Sequence, residues 1–225
     1  MDAVRLGIAA LMFLGAILSD LRTRRVPNRY WVPFLAAGLV LALRDLGHGG
    51  LPWSGVAWAA GTCAFLYALW WLGLFGGADA KGLMVLAVLW PAAPDLYAAR
   101  TTPTVDALMD GTLLMLALPV AFFVWNAAHR DVAFPAMLLG VRTDLRRAWD
   151  RHVWPLQQVR DGRVVWRFRH RPGQGADHAA LHRAGLDRVW VTPKIPFMLP
   201  LGVGLLLAAW KGNLILALMA ALLAG

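Results

Sequence analysis

Apolar runs of bilayer-crossing or nearly bilayer-crossing length recur along this chain, and nothing else in the sequence restricts its fold so strongly. A helix of about 20 apolar residues crosses hydrocarbon with all its backbone groups satisfied, whereas a water-soluble domain has no place to bury so many such runs. The composition agrees, since 59% of the 225 residues are hydrophobic and 12 are Trp. A net charge of +9 suits a nucleic-acid binder, but such a protein needs no membrane-length runs. The charge therefore predicts contact with membrane lipid headgroups and none with nucleic acid. Cys63 is the single cysteine and lies within an apolar run, which excludes a disulfide framework or a four-cysteine zinc site and predicts an inert, buried thiol.

The first run, roughly residues 3 to 19, has the length of a signal-peptide core, but no small-residue cleavage site follows it and the flanking charge is on the wrong side, so a retained helix is expected. It ends at Asp20, before a loop with four arginines up to Arg29. Tyr30 and Trp31 are expected to mark the next membrane interface. Further runs cover about Trp31 to Leu43, Trp53 to Phe75, a modest stretch after Gly76-Gly-Ala-Asp-Ala-Lys-Gly82 ending near Pro91, and Leu108 to Ala128. The last begins at Ile195 and is broken by Lys211-Gly212-Asn213. The expected fold is an all-α polytopic membrane protein with about six transmembrane helices and a small mixed α/β cytoplasmic insertion before the last.

Three regions follow: 1-128 with transmembrane helices one to five, 129-194 as the basic cytoplasmic insertion, and 195-225 with the sixth helix and an apolar tail. Between His129 and Lys194 there are thirteen Lys and Arg against six Asp, which places this segment and the Arg22 to Arg29 loop on the cytoplasmic side and the N-terminus outside. Within the insertion, Val132 to Gly140 is expected along the interface and Arg142 to His152 as a basic helix. Gln157 to Phe168 reads as a hairpin turning at Asp161-Gly162, Leu186 to Val191 as a third strand, and Arg171 to Gly175 as a flexible loop.

All thirteen acidic residues are Asp, so carboxylate chemistry has only these to draw on. Asp20 closes the first run and Asp79 opens the fourth, and counting the crossings puts both at one membrane face. Two carboxyl groups brought close together share a proton, so that one activates a water while the other protonates a carbonyl, which is minimal equipment for peptide hydrolysis. Spacing alone leaves open the plainer alternative that each Asp caps a helix or pairs with a neighbour such as Arg24 or Lys81. Gly76, Gly77 and Gly82 permit close backbone approach around Asp79. His178 and His182 have a zinc-binding helical spacing, but Ala179 stands where a metalloprotease needs its Glu, so an exposed His pair and no metal site are expected. The aromatic residues Trp70, Trp71, Trp166, Phe168 and Trp190 are expected in packing and interfacial anchoring.

Asp20 followed by Arg22, Arg24, Val26, Pro27 and Asn28, then Gly76-Gly-Ala-Asp79-Ala-Lys81, then Trp190-Val-Thr-Pro-Lys-Ile-Pro-Phe197, resemble the archaeal preflagellin peptidases of the type IV prepilin peptidase family, GxGD-type membrane aspartic proteases. The resemblance runs through the whole chain in order. It implies Asp20 and Asp79 as the catalytic dyad, with Gly76, Gly77, Lys81 and Asn28 in support and no cofactor. The implied substrates are precursors of archaellins or pilin-like proteins with a short basic leader and a hydrophobic helix, cut between the two on the cytoplasmic side. Ala78 departs from the wider family's Gly-x-Gly-Asp, as in the branch that accepts a small hydrophobic residue there. The zinc loop and methyltransferase activity of bacterial members are not carried over, for want of the cysteines and the length. Alternatives are a presenilin-like protease and a non-enzymatic membrane scaffold whose two Asp make structural pairs only.

Overall fold

The computed structural model of the chain describes residues 2–23, 25–95, 100–149, 153–168, 178–194 and 196–224. It divides into two compact units, one formed by 1–115 with 196–225 and the other by 116–195, the division falling within one long helix. That helix is α5 (Pro103–Ala128), preceded by α1 (Asp2–Thr23), α2 (Asn28–Gly47), α3 (Trp53–Trp71) and α4 (Gly77–Leu89). The chain closes with α9 (Met198–Lys211) and α10 (Leu214–Ala224). The helices α1, α2 and α5 are long and apolar enough to cross a membrane, and α9 with α10, bent by 55° at the Lys211-Gly212-Asn213 break, qualifies as a pair. Helices of this kind belong to a membrane protein.

The first unit is built around α4, which packs against α1, α2, α3 and α9. Ala80, Gly82, Leu83, Val85, Leu86, Ala87 and Leu89 are all buried, and Lys81, Met84 and Val88 form a half-buried stripe on one face of α4. A helix buried over most of its surface is stable only among other helices. The outer helices instead leave large apolar side chains such as Leu11, Val40 and Trp53 exposed, an arrangement that suits hydrocarbon. On α2 the inward residues are Trp31, Gly38 and Asp45, seven apart. Trp31, expected at a membrane interface, is only 4% exposed, because this spacing turns it onto α4. Tyr30 also points inward, donating its hydroxyl to the Met12 carbonyl at 2.7 Å.

At the end of this unit formed by the start of α1 and the end of α2, Arg5 Nη2 bonds Asp45 Oδ2 at 2.6 Å with both side chains buried. On α5, Asp110 Oδ1 accepts the Leu214 N–H at 2.9 Å and Asp106 Oδ1 accepts from Asn213 Nδ2 at 2.8 Å. Asn213 Oδ1 in turn accepts the Leu216 N–H, so polar side chains take up the backbone donors released where the chain breaks between α9 and α10.

In the second unit, β1 (Val141–Asp144), β5 (Arg188–Pro193) and β2 (Val153–Pro155) form an antiparallel sheet in the order β1-β5-β2. The hairpin expected at Gln157 to Phe168 is β3 (Gln157–Arg160) and β4 (Arg163–Trp166), with Asp161 and Gly162 both at positive φ, the geometry of a tight two-residue turn. The third strand expected near Leu186 is β5, but it pairs with β1 and β2 and not with the hairpin. The basic helix expected from Arg142 needs correction. Residues 141–144 are a strand, Val141 and Thr143 half-buried and Arg142 and Asp144 exposed, and among the described residues of that stretch only α7 (Leu145–Trp149) is helical, Asp150 to His152 lying outside them. Alternating burial and β-branched residues outweigh the run of charge. Between α5 and β1, α6 (Ala136–Leu139) is tied down by Asn126 Nδ2, which donates to the Met137 and Gly140 carbonyls. Asp131 holds Arg188 at 3.1 Å and Arg142 at 3.4 Å. The loop expected at Arg171 to Gly175 lies outside the described residues, as do Arg24 and Ile195.

The crossing of α2 and α4 depends on Gly38, whose hydrogen faces the Leu89 backbone; a Cβ there would lie 2.8 Å from Leu89 Cα. Gly38→Ala is expected to cost about 1–3 kcal/mol by forcing the helices apart. Gly7→Ala, in α1 with nothing within 4 Å of its Cβ position, should stabilise by about 0.5–1 kcal/mol. Thermal unfolding of both variants in one detergent measures the opposite signs.

Candidate active site

Asp20 stands near the last turn of α1, and the chain then turns back sharply into α2. That turn is fastened from the helix side: Ser19 Oγ donates to the Arg25 carbonyl at 2.8 Å, and Thr23 Oγ1 lies 2.9 Å from the Ser19 carbonyl and 3.0 Å from that of Arg25. Pro27, extended at the cap position, starts α2 at Asn28, where a residue without an N–H costs no helical bond.

Asp79 is the third residue of α4, after Gly76 at the cap position. A carboxylate in a helix's first turn faces unpaired N–H groups and the positive end of the helix dipole. Here it folds back against Gly76: a Cβ on Gly76 would run into Asp79 Oδ2. Gly76 has φ −66° and ψ 141°, which any residue adopts, so the requirement for glycine is one of space for the carboxylate alone. Gly77 lies under the Trp70 indole, 3.2 Å from its Cβ position to Nε1. Phe75 meets Phe197 edge-on at 5.7 Å, joining the approach to α4 to the start of α9.

Two of the residues singled out in the sequence for support find each other. Lys81 Nζ donates to Asn28 Oδ1 at 2.7 Å, linking the beginning of α4 to the beginning of α2. Lys81 is therefore engaged by Asn28. The carboxylates of Asp20 and Asp79 are both half-buried and within electrostatic reach of each other. Asp20, Asn28, Asp79 and Lys81 thus gather at one end of the first unit, the end opposite Arg5 and Asp45. Arg22 and Arg25 are exposed beside them.

The sequence reading expected Trp70 in packing without indicating that it covers Gly77, and it missed the Ser19–Thr23 fastening. For the second the signal was present, as two hydroxyls four residues apart at the end of an apolar run. For Trp70, only the adjacent glycines hinted at a large side chain needing room. His178 and His182 both fall on α8 (His178–Arg183); the His178 side chain is outside the described residues and His182 is exposed. Among the described residues, no three His, Cys, Asp or Glu side chains are grouped to hold a metal ion.

Residues 7–125 match the model of the type IV leader peptidase family, a stretch that takes in Asp20, Asn28, Gly76, Asp79 and Lys81. The chain belongs to that family. It is accordingly a membrane peptidase that processes leader peptides. It is also similar, at 23% identity, to the preflagellin peptidase of Methanococcus voltae, with 97% of this chain and 98% of that protein aligned. The Gly76 contact gives this peptidase a test that leaves its aspartates untouched. On the expectation that Asp79 is catalytic, Gly76→Ala should purify as a folded protein and lose about 100-fold in cleavage rate, because the added methyl displaces the Asp79 carboxylate by about an ångström. Initial rates against a precursor substrate, with circular dichroism as the check on folding, measure it.

Proposed function

We propose that the protein is an aspartic endopeptidase that removes the short basic leader from preflagellin or type IV prepilin-like precursors. The single observation that supports this reading is that Asp20, near the end of α1, and Asp79, in the first turn of α4, lie half-buried at one end of the unit within the stretch that matches the leader peptidase family. One carboxylate, ionised, takes a proton from a water molecule as the water attacks the scissile carbonyl. The other, protonated, donates to the carbonyl oxygen and later helps the amine leave. Gly76 makes room for Asp79, Gly77 seats α4 under Trp70, and the Lys81–Asn28 bond keeps the entrances of α4 and α2 in register.

A +9 chain gains nothing from bulk attraction to a basic leader, so recognition rests on local carboxylates and on packing of the precursor's hydrophobic helix. The reading includes six crossings, the regions 1-128, 129-194 and 195-225, and a cytoplasmic face for both aspartates and the insertion. The thirteen basic residues from Arg130 to Lys194 support that side. An Arg163→Cys protein should accordingly react with an impermeant thiol reagent only from the inside, and labelling from the outside overturns the orientation.

The mechanism is tested with purified protein in detergent and a precursor bearing a basic leader and a hydrophobic helix. Asp20→Asn and Asp79→Asn preserve side-chain shape and should each abolish cleavage with little loss of folded protein. Chelators should leave the rate unchanged. Wild type should show two coupled protonation steps that belong to the pair. Equal cutting by wild type and both Asn variants, or inhibition by EDTA, rules the aspartic mechanism out and returns His178 and His182 to consideration.

A further inference from the structure

Within the second unit, α5 ends at Ala128, and the helix is long and apolar enough to cross a membrane. The turn that follows it therefore emerges at a lipid surface. Trp125, in the last turns of α5, is exposed and stacks on the His129 ring at 4.3 Å, as aromatic residues do at such a level. The chain then reverses at Arg130, whose φ is 56°, and the Asp131 N–H bonds back to the Asn126 carbonyl at 3.0 Å. Val132 and Phe134 follow, 74% and 79% exposed, while α6 behind them is buried through Ala136 and Met137. Of the stretch from Val132 to Gly140 expected along the interface, these two side chains are the ones that point furthest outward.

One face of the sheet lies over the same turn. Arg142 stands opposite Trp190 and Asp144 opposite Arg188, so both arginines project from one side of the β1–β5 pair. Both reach Asp131, Arg188 Nη2 at 3.1 Å from Oδ2 and Arg142 Nη1 at 3.4 Å from Oδ1. The Asp131 side chain is only 10% exposed, whereas those of Arg142 and Arg188 are 42% and 45% exposed. The carboxylate is thus covered and the guanidiniums face out, each with N–H donors left over. Arg130 is exposed beside them, and Asp144 is turned toward Arg147 at 3.4 Å.

We propose that the turn after α5 is an anchoring site for anionic membrane lipid. The guanidiniums of Arg142 and Arg188, with Arg130, hold headgroup phosphates, and Val132 and Phe134 enter the acyl chains beneath them. Two observations identify the occupant. Continuity with α5 brings a lipid surface to the site, and the outward charge is positive where headgroups are negative. An acidic protein segment would satisfy the arginines but leaves two bare apolar side chains at the exit of a membrane-length helix without a role. The proposal rests on α5 crossing the membrane, which belongs to the reading above, and is independent of the cleavage chemistry.

Native mass spectrometry of the full-length protein in detergent measures binding of phosphatidylglycerol, which is anionic, and of phosphatidylcholine, which has a phosphate but no net charge. Wild type should prefer phosphatidylglycerol several-fold. Asp131→Asn, which releases both guanidiniums, should tighten that binding about five-fold. Asp131→Asn combined with Arg142→Gln and Arg188→Gln leaves no charge unpaired and should weaken it about five-fold, the worth of one net positive charge at an anionic surface. Equal binding by wild type and the triple variant overturns the proposal, and so does weakening by Asp131→Asn alone, which assigns the ion pairs to the fold. Depth is read separately in phosphatidylglycerol vesicles, with Cys63→Ala protein carrying a fluorophore on Val120→Cys or on Phe134→Cys. Quenchers on the lipid chains should reach both labels. If they reach the label at 120 while only aqueous iodide reaches the one at 134, the anchor is overturned and the crossing of α5 stands. Iodide quenching at both positions overturns the crossing and the anchor with it. If the triple variant does not fold, Asp131→Asn and the two labels decide.

Discussion

The way α4 enters the bundle sets the position of everything else around the two aspartates. It is a 13-residue helix enclosed by α1, α2, α3 and α9, and its direction is fixed where Gly38 lets α2 come against the Leu89 backbone. Packing at one end of α4 thereby fixes the other, where Gly76 lets the Asp79 carboxylate fold back and Lys81 bonds Asn28. A close-packed interior does not deform by small amounts without cost, so a change at Gly38, which meets Leu89 eight residues along α4 from Lys81, is felt at the start of that helix.

Polar groups in the first unit are confined to its ends, and each set does different work. At one end Arg5 and Asp45 neutralise each other in a buried pair, and Asp110 and Asn213, the latter held by Asp106, accept backbone N–H groups freed at the break after α9. Buried charges and unpaired peptide groups are expensive in hydrocarbon, and these are compensated. At the other end Asp20 and Asp79 are both half-buried at the helix ends that the proposed mechanism uses. The carboxylates consumed by Arg5 or by the α10 backbone serve the fold.

Much of this was legible in the sequence where the signal was local. The ends of the apolar runs gave Asp20 and Asp79, glycines flagged the entrance to α4, and Asp161-Gly162 gave the hairpin turn. Asn28 and Lys81 stood out separately, but their bond joins residues 53 apart and no pattern along the chain announces it. Trp31 was misplaced because aromatic residues beside a basic loop look interfacial, and only the position of α4 shows that the inner face of α2 needs one. The strand at Val141–Asp144 was hidden by charge: its alternation is four residues long, and its partner β5 lies far along the chain.

At about 1.5 Å per residue, α4 is only about 20 Å long, while bilayer hydrocarbon is about 30 Å thick. By itself α4 therefore does not reach across such a layer, and wherever the segments before Gly77 and after Leu89 lie within hydrocarbon their backbone groups must be met by protein or water.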